Sequence, residues 1–155
     1  DDVPTLPETE SSAPVQAAVI QLNQLVVRRN RPINAQIGAG EYVLLDKDQR
    51  PTQMQMRYYQ RGAQWMMDGK NGNSPWSPVC QGTGECRLQT SSAQKIHEWK
   101  TLLPSELRAM PMACIHNQAF AFCRMSKPDN PNMRLYWWFA WQNGRTYALG
   151  LNRLR

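Results

Sequence analysis

The feature that most constrains this chain is its four cysteines, which fall into two close pairs. Five residues separate Cys80 from Cys86, and eight separate Cys114 from Cys123. Zinc sites usually take pairs of cysteines that are two to four residues apart, so no metal site is predicted. An even number of cysteines around short, glycine-containing loops is typical of disulfides made in an oxidising compartment. The sequence therefore predicts two disulfides in an exported protein, periplasmic or on the cell surface.

Four cysteines can pair in three ways, and the sequence alone does not choose among them. We favour Cys80 with Cys86, because the intervening segment Gln81–Glu85 contains two glycines and can close a small ring. Cys114 and Cys123 would then face each other across a hairpin. A crossed pairing remains open.

The most apolar segment is Leu135–Trp141, in which five of seven residues are aromatic. Successive side chains in a strand point to opposite faces. Trp137 and Trp141 should therefore share one face, and Trp138 should lie on the other. Either the domain covers both faces, or one face contacts a partner or a sugar. These three tryptophans are candidate partner-binding residues.

Length and composition indicate one domain, because 155 residues with 41% hydrophobic residues can form a single core. Helical periodicity predicts one helix from Pro14 to Pro32 and a second from a cap at Ser91 or Ser92 to Pro104. An Asn143-Gly144 turn predicts a terminal hairpin. Strands are predicted at residues 42–45, 53–60, 63–67, 119–125, 135–141 and 145–151. The predicted fold class is α+β: an antiparallel sheet of about six strands with two packed helices, stabilised by disulfides.

The first thirteen residues are acidic and contain two prolines. This composition is typical of a linker, so residues 1–13 are predicted to be a disordered acidic linker and residues 14–155 a single globular domain. We find no signal peptide and no apolar run of the ~18–20 residues that a membrane span requires. Contact with a membrane is expected only through an anchor that precedes residue 1.

The net charge of +6 understates how basic the predicted domain is, because four acidic residues lie within residues 1–10. The remainder has 18 basic and 8 acidic residues, a net charge of about +10. Such a positive field favours acidic partners, and a polyanion is one candidate. Arg28, Arg29 and Arg31 are candidate anion-binding residues, although cations are also common where a helix ends.

Residues with catalytic chemistry are few. The chain has two histidines, His97 and His116, and a nucleophile made of Cys114 and His116 would require a free thiol. We find no hydrolase, metalloprotease or phosphate-binding motif and no obvious pair of catalytic carboxylates. The sequence predicts neither an enzyme nor a cofactor.

The second half of the chain resembles the C-terminal part of minor type IV pilins and pseudopilins. The resemblance rests on the segment Cys80–Cys86, on Glu98–Lys100 followed by Leu102–Pro104, on Cys114 and on the strand Trp137–Trp141. It implies an amphipathic helix packed on an antiparallel sheet with disulfides near the C-terminus, and no catalytic residues. The long apolar helix with which a pilin begins is not part of the sequence.

Two functions follow from these observations. The first is a non-enzymatic exported assembly or adaptor domain, such as a component of a pilus or secretion machine. Its protein partner would contact Leu25 on the first helix and the tryptophans of the aromatic strand. The alternative is a periplasmic binding or inhibitor protein that uses the loop between Cys80 and Cys86 against an enzyme or toxin, with Glu85 as the polar contact.

Overall fold

The computed structural model of the chain describes residues 38–127 and 129–155. They contain nine strands and one α-helix, α1 (Ala93–Lys100). Two short 3-10 helices cover Gly84–Cys86 and Ser105–Leu107. The strands are β1 (Gly40–Leu45), β2 (Pro51–Arg61), β3 (Gln64–Asn71), β4 (Ser77–Cys80), β5 (Gln89–Thr90), β6 (Met112–His116), β7 (Phe120–Lys127), β8 (Asn130–Gln142) and β9 (Arg145–Arg153).

All nine strands form a single antiparallel sheet in the order β4-β3-β2-β1-β9-β8-β7-β6-β5. The sheet consists of two meanders, β1–β4 and β5–β9, in which consecutive strands are neighbours. Pairing of β1 with β9, for example Leu44 opposite Leu151, joins the two meanders. The edges of the sheet are therefore β4 and β5, which are consecutive in sequence.

The sheet curls into a half-barrel, and the contacts of Phe122 show how far it curls. Tyr58 on β2 and Phe122 on β7 are four strand spacings apart, which is about 19 Å in a flat sheet. Their rings nevertheless stack with centroids 4.0 Å apart. Tyr42 and Tyr136 also contact Phe122, at 4.9 and 6.2 Å. Burial raises the pKa of both the Tyr42 and the Tyr58 hydroxyl, because the phenolate would lose its hydration. The concave face thus holds a closed aromatic core.

A second core lies on the convex face, where α1 covers strands β6, β7 and β8. Ile96 and Trp99 of α1 are buried, and Trp99 stacks on Phe139 of β8 at 6.0 Å. The helix begins after Ser92, whose hydroxyl accepts a hydrogen bond from the Lys95 amide at 3.3 Å. The cap at Ser92 agrees with the sequence prediction for this helix, which ends at Lys100 rather than at Pro104.

Both favoured disulfides are confirmed: Cys80 bonds to Cys86, and Cys114 bonds to Cys123. Cys114 and Cys123 lie directly opposite each other on β6 and β7. Such disulfides are consistent with an oxidising, exported compartment.

The prediction of an α+β fold with about six strands and two packed helices is wrong, because the sheet has nine strands and the described residues contain one α-helix. The six predicted strands are all present, and β4, β5 and β6 are additional. Strand β6 was missed because four of its five residues are buried, so it lacks alternation. Strand β4 contains Pro78, and β5 has two residues. The predicted linker 1–13 and first helix lie outside the described residues.

Candidate binding site at the Cys80–Cys86 loop

The segment that joins the two edges of the half-barrel is the one that the sequence singled out. Residues 81–88 run from β4 to β5, and we call them the Cys80–Cys86 loop after the disulfide that closes most of it. Cys80 before the loop and Leu88 at its end are both buried in the concave core. The loop is therefore fixed at both ends while it crosses from one edge to the other.

Local structure fixes the middle of the loop as well. Gly82 and Gly84 have φ values of 82° and 67°, a conformation that side chains other than glycine rarely adopt. Residues Gly84–Cys86 form a 3-10 turn that is closed by a hydrogen bond from the Arg87 amide to the Gly84 carbonyl at 3.1 Å. The ring closed by the disulfide thus has a defined backbone.

Asn117, in the turn between β6 and β7, ties the loop to the sheet. Its side-chain amide donates to the Cys86 carbonyl at 3.2 Å. Its oxygen accepts from the amides of Ala119 and Phe120 at 2.8 and 2.9 Å. This residue was not predicted from the sequence, although an asparagine three positions before a strand is a signal for such a turn.

A polar cleft, which we call the Trp99 cleft, lies on one side of the loop and has a volume of about 500 Å³. Trp99 and Trp141 form its aromatic wall, with rings 5.8 Å apart and nearly parallel at 14°. The Trp141 indole nitrogen donates to the Gln118 carbonyl, which fixes the orientation of that ring. The charged and titratable lining residues are Glu85, Arg87, Lys95 and His116.

His116 lies where the Trp99 cleft meets α1. Its Nδ1 is 2.7 Å from the Ser91 hydroxyl oxygen, and its ring contacts the edge of Trp99 at 5.6 Å. Burial lowers the pKa of His116, and the positive charge of Lys95 lowers it further, whereas a backbone hydrogen bond with Gln89 opposes the shift. The neutral imidazole is therefore favoured in the folded protein.

We expect the free energy of unfolding to decrease as the pH is lowered, because of the depressed pKa of His116. Because the pKa of His116 is depressed on folding, the unfolded chain takes up a proton more readily as the pH drops below the ordinary value of 6.5. His116→Gln should therefore lose less stability than the wild type between about pH 7.5 and about pH 5, measured by urea unfolding. His97→Gln, on the exposed side of α1, is the matched control. If the wild type and His116→Gln lost equal stability over this pH range, the depressed pKa of His116 would be contradicted.

An apolar cavity of about 710 Å³, which we call the methionine cavity, lies on the other side of the loop. Met54, Met56, Met67, Phe120 and Trp138 line it. It opens to solvent at Met54 and Val79, which are 40% and 47% exposed. Its volume is in the range of sites that bind small molecules or inserted side chains. Methionine side chains adapt their shape to what they contact.

Glu85, the polar contact predicted from sequence, is the exposed carboxylate that lines both the Trp99 cleft and the methionine cavity. Asn117 and Gln118 also line both. The loop and the β6–β7 turn therefore form a shared wall between two hollows of opposite character.

The other residues predicted for partner binding lie elsewhere. Trp137 and Trp141 pack against the second core beneath α1, and Trp138 packs against the concave core, as strand alternation predicted. All three are half-buried; Trp141 lines the cleft and Trp138 lines the cavity, whereas Trp137 lines neither of these two hollows. Leu25 and the anion-binding candidates Arg28, Arg29 and Arg31 lie outside the described residues.

The structure removes one catalytic hypothesis. Cys114 is in a disulfide, so its thiol is not free to act as a nucleophile with His116. The hydroxyl that does contact His116 belongs to Ser91, which is 8% exposed and lies behind the cleft wall. It orients the imidazole.

Comparisons of the chain with protein families, with curated proteins and with solved structures find no match. Within residues 38–127 and 129–155, the side chains that bind metals do not gather into a potential metal site. The one α-helix found there is too short and too polar to span a bilayer.

Proposed function

We propose that this chain is a non-enzymatic exported binding or inhibitor protein that holds a protein partner through the Cys80–Cys86 loop. One observation carries the proposal. Glu85 is exposed on a loop that is fixed at both ends, with a polar cleft on one side and an apolar cavity on the other.

The rigidity of the loop supports a role in recognition. A flexible loop loses conformational entropy when it binds, and this loss weakens the complex. Here the disulfide, the 3-10 turn and the hydrogen bond from Asn117 order the loop before any partner arrives. None of these three restraints is needed to complete a strand of the sheet. Their common effect is to hold Glu85 in place.

We place the protein in the periplasm or on the cell surface, where disulfides persist. A partner in that compartment would be an envelope enzyme, a toxin or another envelope component. The loop lies between the Trp99 cleft and the methionine cavity, and side chains of the partner would enter these two hollows.

The assembly or adaptor function, with its resemblance to minor pilins, stays a prediction. Its contacts would be Leu25, outside the described residues, and tryptophans that are half-buried in the two cores. The loop has the better support, because Glu85 is exposed and its surroundings are concave.

Site-specific cross-linking tests the proposed surface. A photoreactive amino acid at position 85 should give a cross-linked adduct with a protein of the compartment to which the chain is exported. The same amino acid at Glu106 should not, because this glutamate is also exposed but lines neither hollow. Mass spectrometry of the adduct identifies the partner and the segment that contacts the loop.

The variants Glu85→Ala and Glu106→Ala complete the test. Both should keep the free energy of unfolding within about 0.5 kcal/mol of the wild type, because exposed side chains contribute little to stability. An adduct at position 106 and none at position 85 would contradict the proposal.

A further inference from the structure

We infer that the partner presents an extended segment that straddles the Cys80–Cys86 loop, with an acidic side chain in the Trp99 cleft and an apolar side chain in the methionine cavity. The inference rests on the proposed function, because it names the chemistry that the loop and its two hollows would recognise.

The charges of the Trp99 cleft select an acidic group. Arg87 and Lys95 line it and are exposed, and the only carboxylate that lines it within the described residues is Glu85. Neither cation forms a salt bridge with another described residue. A carboxylate that enters the cleft would therefore meet two cations that have no salt-bridge partner among the described residues, and arginine can bind it with two parallel hydrogen bonds.

The cleft also has a wall suited to the rest of such a side chain. Trp99 and Trp141 line the cleft beside the two cations and give it an apolar side. The methylene groups of a glutamate can lie against indole rings while the carboxylate reaches the cations. A purely apolar group would leave both cations without a partner.

The methionine cavity favours an apolar group, because its lining is mainly apolar. Its wall includes Leu44, Met54, Met56, Val79 and Phe120, and no basic side chain lines it within the described residues. Met54 and Val79 are exposed at its mouth, so an inserted leucine or phenylalanine would remove apolar surface of both molecules from water.

The thickness of the shared wall sets the spacing of the two side chains. Glu85, Asn117 and Gln118 face both hollows, so a single layer of chain separates them. One packed layer is about 10 Å thick and an extended chain advances about 3.3 Å per residue, so the distance corresponds to about three positions. Only side chains an even number of positions apart point to the same side of an extended chain, so we expect the two side chains about two or four positions apart. Glu85 would meet the polar backbone of the residues between them.

A displayed library of random decapeptides, selected on the wild-type protein, is the probe. We expect enriched peptides to carry an acidic residue about two or four positions from a large apolar residue. Arg87→Glu/Lys95→Glu should weaken the best peptide at least about tenfold, because two attractive charges become repulsive. Lys127→Glu/Arg134→Glu, which reverses two exposed charges that line neither hollow, should change its affinity by no more than about twofold.

A second set of variants tests whether an apolar side chain binds in the methionine cavity. Met54→Gln/Val79→Thr keeps side-chain size nearly unchanged and should weaken the same peptide by about tenfold, whereas Met133→Gln, 50% exposed and outside both hollows, should not. Fluorescence polarisation of the labelled peptide measures each affinity, and circular dichroism establishes that each variant is folded.

Two results would overturn the inference. One is that no peptide is enriched, or that enriched peptides lack the acidic and apolar pair. The other is that the charge-reversed variant binds as tightly as its control. If a partner still cross-links at position 85 in either case, the proposed function stands and only the chemistry assigned to its partner fails.

Discussion

Phe122→Ala is expected to lower the free energy of unfolding by about 3–5 kcal/mol, the largest loss that we predict for a single substitution. Phe122 is fully buried, and it contacts Tyr42, Tyr58 and Tyr136 from three different strands. Removal of the ring would leave a cavity where aromatic side chains from both meanders pack together. The surrounding rings are held by the sheet and can fill it only partly.

Urea unfolding followed by tryptophan fluorescence measures this loss. Tyr147→Ala is the matched control, because Tyr147 is an aromatic residue on β9 that is 45% exposed, and its loss should cost less than about 1 kcal/mol. A loss below about 1 kcal/mol for Phe122→Ala would mean that the sheet does not close over this ring.

The second large effect concerns the Cys80–Cys86 disulfide. Cys80→Ala/Cys86→Ala should lower the free energy of unfolding by about 2 kcal/mol, because the unfolded chain is no longer restrained by this small ring. The same change should weaken binding of the cross-linked partner at least about tenfold, since the loop must then be ordered when it binds. Affinity is measured by titration at a temperature where the variant is folded.

The other disulfide provides the control for this experiment. Cys114→Ala/Cys123→Ala should lose slightly more stability, about 2.5 kcal/mol, because its ring is slightly larger. The partner should nevertheless bind it as it binds the wild type, since strand pairing holds β6 and β7 together without the bond. If both double variants bound equally well, rigidity of the loop would have no part in recognition.

Features that depend on local chemistry were predictable from the sequence. The cysteine spacing indicated both disulfides, and the serine before Ala93 indicated where α1 begins. Asn143 and Gly144 both have positive φ, at 56° and 75°, as a type I′ turn requires. The alternation along β8 correctly divided its aromatic residues between the two cores.

Features that depend on how the sheet curls were not predictable. Stacking of Tyr58 on Phe122 joins residues more than sixty positions apart, and no local pattern specifies it. Strand β6 is buried on both faces, so its sequence lacks the alternation that marks a half-exposed strand. Once these strands were missed, a sheet of six strands with two helices was the natural but wrong interpretation.

In the candidate site, too, residues in a local sequence feature were predictable, whereas those brought together by the fold were not. Glu85 was predicted because it lies in a short, glycine-containing ring, which is a local feature. The Trp99 cleft was not, because α1, β6 and β8 bring Trp99, His116 and Trp141 together only when the helix packs on the convex face. Asn117 was missed for a related reason, since its partner Cys86 is distant in sequence.

The most direct test of the account is the affinity of the cross-linked partner for Glu85→Ala relative to Glu106→Ala, with thermal unfolding recorded for both. Loss of Glu85 should weaken binding at least about tenfold, because the partner's polar groups would lose a charged acceptor at the wall between the two hollows. Loss of Glu106 should leave binding unchanged, and the two variants should unfold at nearly the same temperature. Equal affinities for the two variants would contradict the account.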